Sequence, residues 1–425
     1  MAGAQISDVE QRVLEAIDEQ ALVTSVVDLI RVPSVTGSDA ESDLQHRQAA
    51  GLARLGFDVD TWRLDLAELA ADPDHPGTEA DRAEGYGVVG RTGPDGIPAL
   101  ILQGHVDVVP TGDLEKWRDR DPWSGAITGT TIHGRGACDM KAGTAANMAV
   151  AQALVASGVT LERPFAVHTV VSEEDGGLGA FATMRRGHRG EAAVITEPTS
   201  GRIIVANAGA LTFELRVPGR AAHGSTRLAG VSAIESFLPV YAALAALEAE
   251  RNAHPDPLFD GNPLPYPISV GTIRAGDWAS SVPDLLVATG RLGVRIDESP
   301  EQARAALEQA IADACHRDAW LRDHPVEITW PGGQFAPGHI NPAHPLVAEV
   351  LAAIHATESR TAALGAAPYG SDLRLYAQGG IPTLHYGPGD VTFAHAPREQ
   401  VDIGELLRTT RTLALLAARR CGAHL

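Results

Sequence analysis

The chain has 425 residues, of which 44% are hydrophobic and 21% charged, and its 34 basic and 54 acidic residues give a formal net charge of −20. This length exceeds the size at which a single hydrophobic core stops growing, so two domains are expected. The negative charge argues against nucleic acid or an anionic membrane as the partner.

The sequence predicts a cytoplasmic protein. Its three cysteines, Cys138, Cys315 and Cys421, form no CxxC pair, so neither a disulfide framework nor a thiolate zinc site is expected. Residues 1–34 place apolar side chains at helical spacing and lack the basic start and apolar middle of a signal peptide. No apolar run reaches the roughly 18 residues of a membrane-spanning helix.

The first half of the chain predicts an α/β fold. Apolar runs at 98–104, 165–172 and 192–198 predict strands, and small residues at helical spacing predict a helix at 141–158. Because these runs do not alternate with polar residues, we expect a doubly wound, mostly parallel sheet covered on both faces. Such sheets bind ligands beyond the carboxyl ends of their strands.

From residue 208 the pattern changes. A half-exposed strand, a long helix, two strands, a capped helix and a further strand follow in that order, which predicts a four-stranded sheet with two helices on one face. Alternation of helix and strand resumes at residue 330. We therefore expect a catalytic domain formed by 1–207 and 330–425, and an inserted α+β domain formed by 208–329.

Histidine and carboxylate side chains follow the predicted strands of the first half. His105 and Asp107 follow the first strand, Glu173 and Glu174 the second, and Glu197 lies at the end of the third. Because parallel strands bring their carboxyl ends to one edge of a sheet, these side chains are expected to converge there.

Two further candidates lie next to predicted elements. Asp139 precedes the helix at 141–158, and His395 lies in a loop after a later strand. With the strand-end residues they form a mixed nitrogen and oxygen donor set, which suits zinc, cobalt or manganese.

Several of these residues also have interpretations in which they bind no metal. A single histidine or glutamate in a loop is usually solvated, and Asp107 is either a turn acid or a carboxylate that holds the second ring nitrogen of His105. Cys138 is better interpreted as a small buried thiol than as a ligand. Lys141, one of only two lysines, is either a surface charge at a helix start or a functional residue.

Six motifs occur in an order that is typical of one metallohydrolase family. They span almost the whole chain and are GHVDVVP (104–110), WRDRDPW…IHGRGACDMKAG (117–143), VSEEDGG (171–177), TEP (196–198), AAHGS (221–225) and HAPREQV (395–401). Together they resemble the acetylornithine deacetylase and succinyl-diaminopimelate desuccinylase family, which includes aminoacylases and glutamate carboxypeptidases.

The resemblance implies a pair of co-catalytic divalent metals, with zinc as the first choice and cobalt or manganese as alternatives. One metal would be held by His105 and Glu197. The second would be held by Glu174 and His395, and Asp139 would bridge the two ions. The cations would then offset the repulsion among the adjacent acids of VSEEDGG.

The resemblance also implies three catalytic residues. Glu173 would be the general base that takes a proton from the attacking water, and Asp107 would be the carboxylate behind His105. His223, in the inserted domain, would stabilise the oxyanion, and a partner subunit can supply this histidine across a dimer interface.

Three residues are candidates for substrate binding. Arg295 lies where the family often carries an arginine that binds a carboxylate, and Ser371 and Arg374 come from the catalytic domain. A guanidinium group matches a carboxylate in two-point geometry. Surface ion pairing is the alternative for either arginine.

These features predict a metal-dependent amidohydrolase that cleaves an N-acyl amino acid or a related small carboxylate-bearing amine. With the same centre, the alternatives are an N-formyl-aminopyrimidine deformylase, an N-carbamoyl amino acid hydrolase, and a dipeptidase or carboxypeptidase. A non-catalytic binding homologue is the alternative from another class. We expect a homodimer formed through the inserted domain, with no nucleic acid or membrane partner.

Two departures from the family bear on the substrate. Pro122 and Trp123 stand where the family commonly has a Pro-Phe pair, and the stretch 69–87, rich in proline, glycine and aspartate, is longer than in compact members. This stretch predicts a surface excursion rather than a linker between domains.

Overall fold

The computed structural model describes residues 5–425. The α-helices are α1 (Asp8–Glu15), α2 (Glu19–Ile30), α3 (Asp39–Arg54), α4 (Leu66–Ala71), α5 (Ala142–Ala156), α6 (Leu178–Arg185), α7 (Ala233–Arg251), α8 (Pro300–Arg317), α9 (Pro345–Glu358), α10 (Leu373–Gln378) and α11 (Ile403–Arg420). The strands are β1 (Asp58–Arg63), β2 (Tyr86–Thr92), β3 (Leu100–His105), β4 (Ile127–Thr128), β5 (Thr131–His133), β6 (Thr160–Leu161), β7 (Phe165–Val170), β8 (Ala193–Pro198), β9 (Ile203–Asn207), β10 (Gly209–Pro218), β11 (Ala222–His223), β12 (Ile268–Ala275), β13 (Ser281–Val282), β14 (Leu285–Val294), β15 (Glu327–Thr329), β16 (Gln334–Phe335), β17 (Gly338–His339), β18 (Leu364–Ala367), β19 (Thr383–Gly387), β20 (Gln400–Asp402) and β21 (Ala423–His424).

The largest sheet has nine strands in the order β1-β2-β7-β3-β8-β19-β9-β17, and β18 also pairs with β9. Its centre is parallel, since β3 lies between β7 and β8 and β19 runs parallel to β8. Antiparallel pairs add β2 and β1 at one edge and β17 at the other. The α/β class is confirmed, but the sheet is mixed rather than mostly parallel. The connection between β1 and β2 holds only the short α4, and antiparallel neighbours need no full crossover.

Helices cover both faces of this sheet. Leu100 and Leu102 of β3 lie in one hydrophobic core with residues of α5, α9 and α11, whereas Ile101 lies in a second core with residues of α6 and α10. This alternation is the period of two that a strand imposes. The small residues of α5 allow a close approach to β8, where a Cβ added at Gly143 would lie 2.1 Å from the Thr196 carbonyl oxygen. The start of α5 therefore packs beside the end of β8.

A separate hydrophobic core lies in the predicted inserted domain. Leu211, Phe213 and Leu215 of β10 alternate with half-buried residues and pack with side chains of α7 and α8. The sheet order is β12-β14-β10-β15, and the short β16 pairs with β10 on the same side as β15. Two helices, α7 and α8, therefore cover one face of this sheet, in which β15 and β16 together occupy the fourth position. The boundaries at 208–329 stay a prediction.

Within residues 5–425, no helix combines the length and apolar character that crossing a membrane requires.

Candidate metal centre

The structure brings the five predicted metal ligands together. His105 is the last residue of β3, Glu197 lies near the end of β8, and Glu173 and Glu174 follow β7. Since β7, β3 and β8 are neighbours and run parallel, their carboxyl ends meet at one edge of the sheet. His395 reaches this edge from the loop before β20.

The ligand atoms divide into two sides around Asp139. On one side, His105 Nε2 lies 3.2 Å from Asp139 Oδ1 and 3.7 Å from Glu197 Oε1. On the other, His395 Nε2 lies 3.5 Å from Asp139 Oδ2 and 3.0 Å from Glu174 Oε2. The two oxygens of Asp139 thus face different histidines, an arrangement that would let this carboxylate bridge two cations.

The charges at this edge favour a bound cation. Burial raises the pKa values of the Glu173, Glu174 and Glu197 carboxyls, and neighbouring carboxylates raise them further. Attraction to Glu174 raises the pKa of His395 to about 11. Carboxylates packed this closely are costly to ionise without a compensating positive charge. Imidazole and carboxylate donors within a few ångströms of one another fit zinc and similar divalent ions, and two overlapping groups here have ligand atoms within 4.8 Å of one another.

Asp107 acts on the loop that carries the two glutamates. Its Oδ1 accepts the N–H of Glu173 and its Oδ2 accepts the N–H of Glu174, both at 3.2 Å, while the hydroxyl of Thr36 donates to Oδ2 at 3.0 Å. The second ring nitrogen of His105 lies 2.9 Å from the Asp107 carbonyl oxygen and 3.5 Å from the carboxylate. In this arrangement the backbone of Asp107, more than its side chain, orients His105.

Two non-glycine residues at the centre adopt left-handed backbone conformations. Ser172 has φ = 63° and His395 has φ = 60°. Such conformations are uncommon for residues with a Cβ and concentrate at functional sites. They turn the chain sharply just before Glu173 and at His395 itself.

Sequence reasoning missed two residues that hold the backbone at Asp139, namely Glu399 and its ion-pair partner Arg135. Glu399 Oε1 accepts the N–H groups of Cys138 and Asp139 at 3.3 and 3.2 Å. Its other oxygen pairs with the guanidinium of Arg135, and both side chains are almost fully buried. The available signal was Glu399 within the motif that also supplies His395.

Lys141 and Cys138 are both fully buried. The ammonium of Lys141 donates to the Val32 carbonyl oxygen at 2.8 Å, and burial lowers its pKa to about 7. It is therefore not a surface charge.

The carboxylates line a cavity of about 230 Å³. Other lining residues are Pro198, Tyr369, Gly370 and Val391. Burial, together with the nearby carboxylates, raises the pKa of Tyr369 well above its usual value, so its hydroxyl remains a hydrogen-bond donor. Sequence reasoning missed Tyr369 although it precedes the predicted Ser371 by only two residues.

Ser371 and Arg374 do not line this cavity. The hydroxyl of Ser371 lies 3.0 Å from His385 Nε2. The guanidinium of Arg374 is buried and donates to the carbonyl oxygens of Ser371 and Gly176. Arg374 therefore holds the loop that carries the glutamates, and its position does not support the predicted contact with substrate.

The two residues predicted in the inserted domain also lie outside the cavity. Arg295 pairs with Asp297 at 3.1 Å, which is the surface ion pair named as its alternative. His223 is exposed, and its Nδ1 lies 2.8 Å from the Ser225 hydroxyl. Arg291 is half-buried and donates to the Pro368 carbonyl oxygen at 3.0 Å, next to Tyr369. Among the residues that the structure describes, no carboxylate pairs with Arg291.

Comparisons with known proteins agree with this architecture. The N-formyl-4-amino-5-aminomethyl-2-methylpyrimidine deformylase of Bacillus subtilis (strain 168) is 25% identical over 96% of each chain. The succinyl-diaminopimelate desuccinylase of Methylobacterium radiotolerans is 30% identical over 90% of this chain and 92% of that protein. The di-peptidase Dug1p from Saccharomyces cerevisiae shares the fold with a TM-score of 0.76, at 14% identity over 99% of each chain.

The predicted family resemblance is confirmed by a family model. Peptidase family M20/M25/M40 matches residues 101–419, a span that includes every candidate ligand and the predicted inserted domain. The chain belongs to peptidase family M20/M25/M40 and is a metal-dependent hydrolase of amide bonds.

Proposed function

We propose that the protein hydrolyses the amide bond of a small N-acyl amine with two bound divalent metals, zinc in the first place and cobalt or manganese as alternatives. The observation that carries this proposal is the position of Asp139, whose two oxygens face His105 and His395. Glu197 and Glu174 supply one further carboxylate on each side.

Bound metals of this kind polarise the scissile carbonyl and lower the pKa of water. The protein's own contribution to proton transfer is assigned to Glu173. Its carboxylate lines the cavity and forms no hydrogen bond or ion pair with any residue in the range 5–425. Burial raises the pKa of this carboxyl, and a carboxyl positioned in this way can take a proton from water and return it to the leaving amine.

Two substitutions test this division of roles. Glu173→Gln should abolish turnover while the metal content persists, because the ligand set is intact. Asp139→Asn should lose both turnover and metal, because neither side keeps its shared carboxylate. Metal content is measured by elemental analysis after dialysis, alongside hydrolysis by the reconstituted protein. Equal metal loss in both variants would refute the assignment of Glu173 as the general base and Asp139 as a metal ligand.

The substrate proposed first is an N-acyl amino acid or a similar amine that carries a carboxylate. Arg291 supports this choice, since its half-buried guanidinium donates to the carbonyl oxygen of Pro368, the residue before the cavity-lining Tyr369, and has no carboxylate partner among the described residues. Arg295 is the second candidate anchor, although it pairs with Asp297 in this conformation.

Removal of a formyl group from an aminopyrimidine is the second candidate function. Relatives with this name align over 96% and 87% of the chain. In addition, no arginine or lysine is among the residues that line the cavity within the described range, so the cavity itself offers no permanent cation to a substrate carboxylate.

A panel of N-acetyl, N-succinyl, N-formyl and N-carbamoyl compounds separates these functions. The metal-loaded protein is assayed for release of free amine, with the chelated protein as control. If the substrate carries a carboxylate, Arg291→Gln should raise KM for it, whereas cleavage of a formylated aminopyrimidine should be unaffected. No turnover of any amide by protein with bound metal would favour a non-catalytic binding homologue.

We also propose a homodimer formed through the inserted domain. Three side chains on one face of α7, Ile234, Leu238 and Tyr241, are 48%, 62% and 53% exposed, and their i, i+4, i+7 spacing forms an apolar stripe. The neighbouring β12 is an edge strand, which can pair with another chain. His223 lies outside the cavity of its own chain, so a partner subunit is the proposed source of this histidine at each centre.

The proposed compartment is the cytoplasm. All three cysteines are buried as free thiols, which suits a reducing environment.

A further inference from the structure

The excursion predicted at 69–87 contains a segment, residues 76–82, that we call the strap. It contacts the loop that carries Glu173 and Glu174 through the next residue, Asp175. One oxygen of Asp175 accepts the backbone N–H groups of Glu79 and Ala80 at 3.1 and 2.9 Å, and the other accepts the hydroxyl of Ser172. The backbone of the strap therefore holds the loop of residues 172–175, which we call the acidic loop.

A buried ion cluster fixes the strap to the catalytic domain. Arg82 lies 3.2 Å from Glu41 and 3.7 Å from Asp175, and all three side chains are almost fully buried. Glu41 also accepts the N–H of Ser172 at 3.1 Å. Because a buried charge is strongly destabilising when its partner is removed, these contacts make the strap and the acidic loop one unit.

The opposite side of the strap contacts the inserted domain. The hydroxyl of Thr212, in β10, donates to Glu79 Oε1 at 2.7 Å. The N–H of Gln334, on the return segment to the catalytic domain, donates to the Pro76 carbonyl oxygen at 2.9 Å. Thr212 lies close to the first connection between the two sheets and Gln334 lies on the second, so the strap contacts both.

The backbones of the strap, the acidic loop and the return segment to the catalytic domain lie too close together for a side chain between them. A Cβ added at Gly176 would lie 1.9 Å from the Gly77 carbonyl oxygen, and one added at Gly77 would lie 2.0 Å from the Gly332 carbonyl oxygen. A Cβ at Gly333 would lie 2.8 Å from the Asp175 carbonyl oxygen. Packing of this density passes a displacement on to its neighbours instead of absorbing it.

We infer that the strap couples the position of the inserted domain to the placement of Glu173 and Glu174. Thr212 and Glu79 are then positioning residues for amide hydrolysis, acting through Asp175. A movement of the inserted sheet displaces Thr212, and the hydrogen bond to Glu79 passes that displacement to the backbone that holds Asp175. This inference rests on the roles proposed above for the two glutamates.

The first test removes one hydroxyl. Thr212→Val is nearly isosteric and deletes the donor to Glu79, whereas Thr212→Ser keeps it. Coupling of this kind typically changes a rate by about twofold to thirtyfold, so Thr212→Val should lower kcat within that range with KM changed less than about twofold. Thr212→Ser should restore the wild-type kcat. Thr289→Val is the matched control, since the hydroxyl of Thr289 pairs with Thr272 within the same sheet.

The second test is a double-mutant cycle. Asp175→Asn and Thr212→Val are combined, and the loss in kcat for the double variant should be smaller than the product of the two single losses, because both changes interrupt one path. Losses that multiply would overturn the coupling, as would a wild-type kcat in Thr212→Val or an equal loss in Thr289→Val.

A third measurement does not depend on turnover. Competition titration with a metal indicator should give Thr212→Val an affinity about threefold weaker than that of wild type and Thr289→Val, because Glu174 is a proposed ligand. A protein that cleaves no amide but shows this difference would contradict the proposed function and keep the coupling. Equal metal affinities in all three proteins would overturn the coupling even if the wild type cleaves amides.

Discussion

Replacing Glu399 should change both the free energy of unfolding and the metal affinity, and the two effects can be measured separately. Glu399→Ala leaves the guanidinium of Arg135 buried, at 2% exposure, without its carboxylate. Breaking a buried pair in this way costs about 3–5 kcal/mol. Arg135 keeps carbonyl acceptors at Pro110 and His395, which places the expected loss in unfolding free energy near 3 kcal/mol. Glu399→Gln, which keeps an acceptor but not the charge, should lose less.

The same substitution acts on the metal ligands. The N–H groups of Cys138 and Asp139 lose the oxygen that holds them, so Asp139 is no longer fixed between His105 and His395. Loss of such a supporting contact typically lowers metal affinity by about 10- to 100-fold. Denaturant unfolding of the chelated protein gives the stability change, and competition titration gives the metal affinity.

Glu298→Ala is the matched control for Glu399→Ala. Glu298 pairs with the buried Arg251 in the inserted domain, so this variant should lose comparable stability and bind metal with wild-type affinity. Wild-type metal affinity in Glu399→Ala, or an equal loss of affinity in both variants, would refute the assignment of Glu399 as the support of Asp139.

Three further predictions concern pH, assembly and metal removal. His168 is fully buried, and burial lowers its pKa to about 3, so the stability it contributes is complete above pH 6.5 and is lost as the pH falls towards 3, by about 1.4 kcal/mol per pH unit. Between pH 5.5 and 4.5 the unfolding free energy of His168→Gln should fall less steeply with falling pH than that of the wild type, by about 1.4 kcal/mol per pH unit, and identical slopes would contradict this. Leu238→Glu should convert a dimer into monomers in analytical ultracentrifugation, whereas the exposed Leu114→Glu should not; a monomeric wild type would exclude the dimer. Chelation should lower the unfolding free energy by about 2.7 kcal/mol for each metal whose free concentration was 100 times its Kd, or by about 5 kcal/mol for two metals, and an unchanged thermal midpoint would argue against bound metals.

The strand ends were predictable from local pattern alone. An apolar run followed by His105, or by Glu173 and Glu174, is visible in the sequence because a buried strand without alternation needs only adjacent residues to be recognised. The runs at 98–104 and 165–172 correspond to β3 and β7. The strand that follows residue 208 was predictable from the opposite pattern, since β10 alternates between buried and half-buried residues along its whole length.

The supporting contacts were not predictable in this way. Asp139 and Glu399 are 260 residues apart in the sequence, and no periodicity joins them. Arg295 and Arg374 were both predicted to bind substrate, yet one pairs with Asp297 at the surface and the other donates to buried carbonyl oxygens. The sequence specifies the residue type, whereas the direction of a long side chain depends on what packs around it.

The sequence by itself determined the α/β class, the change of pattern near residue 208, and the order of histidine and carboxylate residues along the chain. These follow from patterns a few residues long, which set the local structure and place donors at strand ends. Only the tertiary structure decided that the two oxygens of Asp139 face different histidines, that Asp107 holds the acidic loop, and that residues 76–82 connect this loop to the inserted domain. Those contacts join segments distant in sequence, and they form because buried polar groups must find partners wherever the fold brings donors and acceptors together.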